Sequence, residues 1–156
     1  MKKIAFIALY ILFHLFILRE IRTGIFDLQM RGAQLDRVEA IPDLSIMNLH
    51  TRLIYFEYES IDYYKVWHYK MQFGLFFLIA MIALIALGAE WRYYLILAGS
   101  HFAVMLISSV ILIFGIHQNV MLLSISDLLS RYFIPFCSIG IASFAYLDTH
   151  RNTPFK

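Results

Sequence analysis

The chain has 156 residues, of which 61% are hydrophobic and 17% aromatic, with a mean hydropathy of +0.70; ordinary soluble domains carry roughly 45 to 50% apolar residues. Its 13 Lys/Arg and 11 Asp/Glu leave a net charge of +2 without a basic cluster, which argues against nucleic acid as a partner. The single cysteine, Cys137, excludes an intramolecular disulfide and Cys-pair metal motifs, and its apolar neighbours make it read as a small buried hydrophobe.

In chain order, Lys2-Lys3 followed by the apolar run Ile4 to Leu18 has the form of an export signal. The run ends in Arg19-Glu20-Ile21-Arg22 without a small-x-small site, so it reads as an uncleaved anchor, a first span over about residues 4–20. Its length is completed by Lys2, Lys3 and Arg19 snorkelling to the headgroups.

An extramembrane segment follows over residues 21–70. Gly24, Gly32 and Pro42 punctuate its first half, predicting an irregular surface stretch with one short helix before Pro42. In the second half, Leu53, Ile54, Ile61, Tyr64, Trp67, His68 and Met71 recur at three- and four-residue steps. That spacing predicts an amphipathic helix over Asn48 to Met71. Its tyrosines and Trp67 form an aromatic belt suited to headgroup level, and Tyr58, Tyr64 and Trp67 are candidates for a partner interface.

Met71 to Ile116 consists of two apolar blocks joined at Glu90-Trp91-Arg92, a transmembrane hairpin with spans over residues 71–89 and 93–116. Small residues along it (Ala80, Ala83, Ala86, Ala89, Gly99 and Ala103), together with Ser138 and Ala142 further on, permit close helix approach. From His117 to Arg131, apolar positions at Met121, Ile125, Leu128, Leu129 and Tyr132 predict a helix lying in the interface. Asp127 and Arg131 stand at i,i+4 and are expected to pair where the last span begins. That span covers residues 130–147, with Pro135 in its first turn or at a kink.

The fold class expected is therefore an all-α polytopic membrane protein: one domain, residues 1–156, with four transmembrane helices and one or two interfacial amphipathic helices. Lys2, Lys3, Arg92, Arg151 and Lys156 favour cytoplasmic N- and C-termini in a bacterial inner membrane.

Two constellations invite a chemical reading. His14 and His117 both fall towards the outer side and are the candidate axial ligands of a haem b, as in a small cytochrome or quinone-linked electron-transfer subunit. The competing reading has His101 hydrogen-bonding a neighbouring helix and His117 capping a span. Glu57, Glu59 and Asp62 lie near His50, Lys65 and His68 without HExxH spacing or any other recognised ligand set, so a solvated charged face is the better account and no catalytic or metal residue is assigned.

The layout of a short anchor, a charged outer segment, a hairpin and a last span entered through Arg131-Tyr132-Phe133-Ile134-Pro135, with Glu20 to Asp27 a looser match, resembles the small membrane proteins encoded beside bacterial exosortases. The resemblance implies an accessory to a transpeptidase-like sorting protease. The Cys, Arg and His set of the protease itself has no counterpart around Cys137, so the companion role is the one implied. The expected function is a non-enzymatic accessory or scaffold subunit in the lipid bilayer, docking on a larger membrane protein in sorting or export.

Overall fold

The computed structural model describes residues 2–32, 38–42, 51–58, 61–115 and 122–151. The first span is much longer than its apolar core suggests. Helix α1 (Lys2–Leu12) passes through a π-helical turn (Phe13–Leu18) into α2 (Arg19–Gly32), making one helix of 31 residues. The irregular stretch expected after Arg19 is thus helical as far as Gly32. Its packing face carries Arg22, Phe26 and Gln29, all buried, so a search for apolar spacing finds only one of the three inward positions.

Three antiparallel strands follow in the order β1 (Val38–Pro42), β2 (Thr51–Tyr58), β3 (Ile61–Lys70). Val38 pairs with Phe56 and Pro42 with Arg52; Leu53 pairs with His68 and Tyr58 with Ile61, with a register irregularity between Phe56 and Tyr58. Pro42 lacks an N–H and sits at the end of an edge strand, where it is tolerated. The amphipathic helix expected over Asn48 to Met71 is therefore replaced by a β-hairpin, and the chain is all-α in its apolar part only. The physical reason lies in composition: Leu53, Ile54, Tyr55, Phe56 and then Tyr63, Tyr64, Val66, Trp67 and Tyr69 are β-branched, aromatic or aliphatic at nearly every position. Such a run satisfies a helical period by coincidence while its residue types favour a pleated strand.

The hairpin of apolar helices is present, as α3 (Leu75–Leu87) and α4 (Trp91–Val110), the latter extended by a π turn over Ile111–Gly115. Gly88 ends α3 in the left-handed region, φ +67°, where its N–H reaches the carbonyls of Ile85 and Leu84 and Ala89 N–H donates to Leu84 O at 3.0 Å. This closure satisfies the last carbonyls of the helix. The interfacial helix expected before Arg131 does not stand alone: α5 (Leu122–Leu128) runs through a π turn (Leu129–Phe133) into α6 (Ile134–Arg151). Pro135 is the second residue of α6, and the widened turn before it accommodates a residue that cannot continue an i to i−4 ladder. Residues Ile125, Leu128 and Tyr132, expected to share an interface-facing side, are exposed on the outside of this helix, whereas Ser126 and Ser130 are buried.

Three helices, Lys2–Gly32, Trp91–Phe114 and Ser124–Arg151, are long and apolar enough to cross a membrane, and Leu75–Leu87 is a shorter apolar helix beside them. One end of the bundle has an apolar core: Phe77, Ala80 and Leu84 of α3 against Leu97 of α4 and Ala145 of α6. Outside it, Phe136 is 78% exposed and Phe144 69%, side chains suited to lipid and not to water.

At the Gly88 closure a β-carbon would take on the left-handed penalty of about 1–2 kcal/mol and would stand 3.3 Å from Lys3 Nζ. Gly88→Val is expected to lower the thermal unfolding midpoint in detergent. Gly99→Ala, at a position with nothing within 4 Å of its added β-carbon, is expected not to lower it.

Candidate functional site

The other half of the bundle has a polar interior. His14, Arg22, Gln29, Gln72, His101, Ser108, Ser126, Ser130 and Ser138 are all buried. In a bilayer an interior of this kind needs its hydrogen bonds made within the protein.

His101 is the centre of this region. Its Nδ1 accepts the backbone N–H of Phe73 at 3.0 Å, which fixes the tautomer: Nε2 carries the proton and faces Ser138 Oγ at 3.2 Å. The ring lies 5.4 Å from that of Phe73, tilted by 32°, and 4.9 Å from that of Phe77, edge to face. Phe73 has φ +58°, an uncommon conformation for a bulky side chain that costs on the order of 1–3 kcal/mol. A hydrogen bond to a buried ring nitrogen and the mutual contacts of the Phe73, Phe77 and His101 rings hold it there.

Three more bonds join the elements around this centre, and a fourth lies within α4. Gln72 Nε2 donates to Ser130 Oγ at 3.0 Å, linking the start of α3 to the π turn before α6. Gln29 Nε2 donates to Ser109 Oγ at 2.6 Å, and Ser109 in turn donates to Met105 O at 2.8 Å. Ser126 donates to Ser108 Oγ at 2.7 Å. A void of about 10 Å³ lies where Arg22, Gln29, Gln72 and Phe73 meet, at the lower limit for one water and far below what a substrate needs.

The apolar end is tied by charge. Arg92 pairs with Asp148 at 2.6 Å and with Glu90 at 3.0 Å, Tyr93 Oη donates to Asp148 at 3.1 Å, and Lys3 Nζ donates to Ala86 O at 3.0 Å. These contacts gather the start of α1, the α3–α4 corner and the end of α6 at one level.

The residues singled out from the sequence are dispersed. Asp127 and Arg131 form the expected i,i+4 pair at 3.3 Å, half-exposed. His14 is completely buried in the first π turn, with its ring 6.1 Å from that of Tyr10, while His117 lies outside the described residues. Tyr58 is the last residue of β2, and Tyr64 and Trp67 belong to β3. His101 does bond a neighbouring helix, as its position suggested. Cys137 is half-buried, less enclosed than its apolar neighbours implied. Among the described residues no three His, Cys, Asp or Glu side chains converge. Sequence reasoning missed Arg22, Gln29, Gln72, Ser126 and Ser130. The available signal was a four-residue step: Tyr10, His14, Leu18, Arg22 and Phe26 in the first helix, and Ser126, Ser130, Ile134 and Ser138 in the last, all turned inward.

Removing the acceptor of the Phe73 amide should cost more than removing the hydroxyl beyond it. His101→Ala is expected to destabilise by about 1–3 kcal/mol, the range for a buried donor left unsatisfied. Ser138→Ala is expected to cost nearer 0.6 kcal/mol, roughly the mean for interhelical bonds in a membrane protein. Equilibrium unfolding in mixed micelles ranks the two, and equal losses would contradict the assigned tautomer and its role. No protein-family model, curated protein or solved structure matches this chain.

Proposed function

We propose that this protein is a non-enzymatic accessory subunit of a bacterial inner-membrane complex, a four-pass scaffold that docks on a larger membrane protein in protein sorting or export. The observation that carries the proposal is a contrast between interior and surface. Around His101, Gln72, Ser108, Ser126, Ser130 and Ser138 are engaged in bonds from one element to another, beside a void of about 10 Å³. The outside, by contrast, carries an open apolar groove of about 620 Å³ between α3 and α6, where Ala83, Ala86, Ala142 and Ser143 stand among larger residues such as Phe76 and Tyr146. The small residues in its walls let a helix from another chain approach closely.

The resemblance to exosortase-linked proteins rests on Arg131 to Pro135, and this stretch is the π turn and first residues by which α6 begins. Arg131 is anchored there by Asp127, so its first role is to hold the entrance of the last pass. Tyr58, Tyr64 and Trp67 on the sheet, with the exposed edge of the Asp127–Arg131 pair, remain the candidate contacts outside the bilayer. The level that holds Lys3, Arg92 and Asp148 also holds the end of α6 with Arg151, and its basic residues support a cytoplasmic assignment for it.

Affinity purification from native membranes in mild detergent is expected to recover a larger membrane protein in stoichiometric amount. Ala86→Leu and Ser143→Leu, both exposed in the groove, are expected to lower that recovery while leaving the unfolding midpoint in place. A pure chain with no partner would defeat the proposal. So would a Soret band abolished by His14→Ala or His117→Ala, which would turn the reading to a haem b protein. Reporter fusions after Arg151 and between β1 and β2 are expected to report the cytoplasm and the opposite side respectively.

A further inference from the structure

A second groove, of about 770 Å³, runs along the outside of the first helix, with Phe6, Leu9, Phe13 and Ile17 on one wall and Met81 and Tyr94 on the other. Both grooves have large apolar residues in their walls, but six of those lining the α3–α6 groove are alanine or serine, and among the described residues lining this one none is. Close helix packing wants small residues, so a flexible chain fits this space better than a helix does.

The dimensions agree with that. From Phe6 to Ile17 the groove follows eleven steps of helix, about 16 Å at 1.5 Å per residue. This is roughly half of a 30 Å hydrocarbon core, the depth of a single leaflet. At the shallow end, Lys2 stands on the same stripe, since Lys2, Phe6, Leu9 and Phe13 succeed one another at four- and three-residue steps. Lys2 is exposed, and its stem can lie along the apolar wall with the ammonium at headgroup level. Trp91, 73% exposed, begins α4 three residues before Tyr94 of the groove wall, a placement usual for aromatic residues at a membrane surface.

Charge decides the kind of lipid. Arg92 is answered by Glu90 and Asp148, whereas Lys2, on the stripe of the groove, and Lys3 beside it add positive charge at the start of α1, one turn before Phe6. Lys3 gives one of its three N–H donors to Ala86 O and keeps two for an anion. We infer that this groove binds one anionic phospholipid, its acyl chain along the α1 stripe and its phosphate at Lys2 and Lys3. The inference depends on the helices lying in a bilayer and not on the accessory-subunit reading.

The test is native mass spectrometry of the full chain taken from vesicles of equimolar phosphatidylglycerol and phosphatidylcholine. Wild type is expected to retain one phosphatidylglycerol in preference to phosphatidylcholine. Lys2→Gln should reduce that preference about fivefold, the ratio one basic side chain near a membrane surface contributes. Leu9→Trp, at a 64% exposed position, fills the groove and should abolish retention of either lipid, with helix content by circular dichroism unchanged. Equal retention of the two lipids by wild type, unaltered retention by Leu9→Trp, or a dimer of this chain that Leu9→Trp dissociates would each overturn the inference.

Discussion

The hydrogen bond from the Phe73 amide to His101 is the contact on which the rest of this structure most depends. Lipid tails give apolar helices no hydrophobic reason to associate, so a membrane bundle is held by close packing and by polar contacts that have no better partner. Here the buried polar contacts are concentrated in one half, and His101 ties together the stretch before α3, the middle of α4 and the body of α6. Its imidazole does so as a neutral ring with one donor and one acceptor, which matches what it meets: an amide N–H on one side and a hydroxyl on the other.

The π turns in the first and last helices have a common geometric purpose. On an α-helix, positions four apart drift by about 40° per step at 100° per residue, so a row of such positions leaves one face after a few turns. In the first helix, Tyr10, His14, Leu18, Arg22 and Phe26 keep that step and still face inward. The π turn over Phe13–Leu18 delays the rotation and returns Arg22 to the side of His14. The same device over Leu129–Phe133 keeps Ser126 and Ser130 in line with Ile134 and Ser138. Each long helix thereby presents a polar stretch and an apolar stretch to the same neighbours, and the core can change character along its length without a break in the chain.

That device also explains what the sequence made legible. The hairpin and the spans announce themselves because hydrophobicity summed over about 20 residues needs no knowledge of faces. The Asp127–Arg131 pair and the helix-bonding role of His101 follow from local spacing and the cost of an unsatisfied polar group, and both are present. The helical continuation past Arg19 is hidden because two of its inward positions are Arg22 and Gln29, and a partner such as Ser109 of α4 for Gln29 is not revealed by local spacing. In the stretch before Arg131 the apolar stripe of Ile125, Leu128 and Tyr132 does face outward, and the feature its spacing leaves out is the opposite side, where Ser126 and Ser130 meet Ser108 and Gln72. In the sheet region nearly every residue suits either period, so composition was a better guide than spacing.

The shortness of α3 is the feature these contacts finally account for. Its 13 residues span about 20 Å at 1.5 Å per residue, against a hydrocarbon core of about 30 Å, while its neighbours have 24 residues or more. It is preceded by Met71 to Gly74, which are not helical. Irregular backbone at membrane depth is tolerated only where protein surrounds it, and Gln72 and Gly74 are buried, with the Phe73 amide satisfied by His101. A leucine at position 101 would suit the helix and the lipid equally well, but it would leave that amide without an acceptor and Phe73 without the contact that holds φ +58°. The histidine is therefore required by the backbone of another element, and it lets β3 pass into α3 inside the bundle.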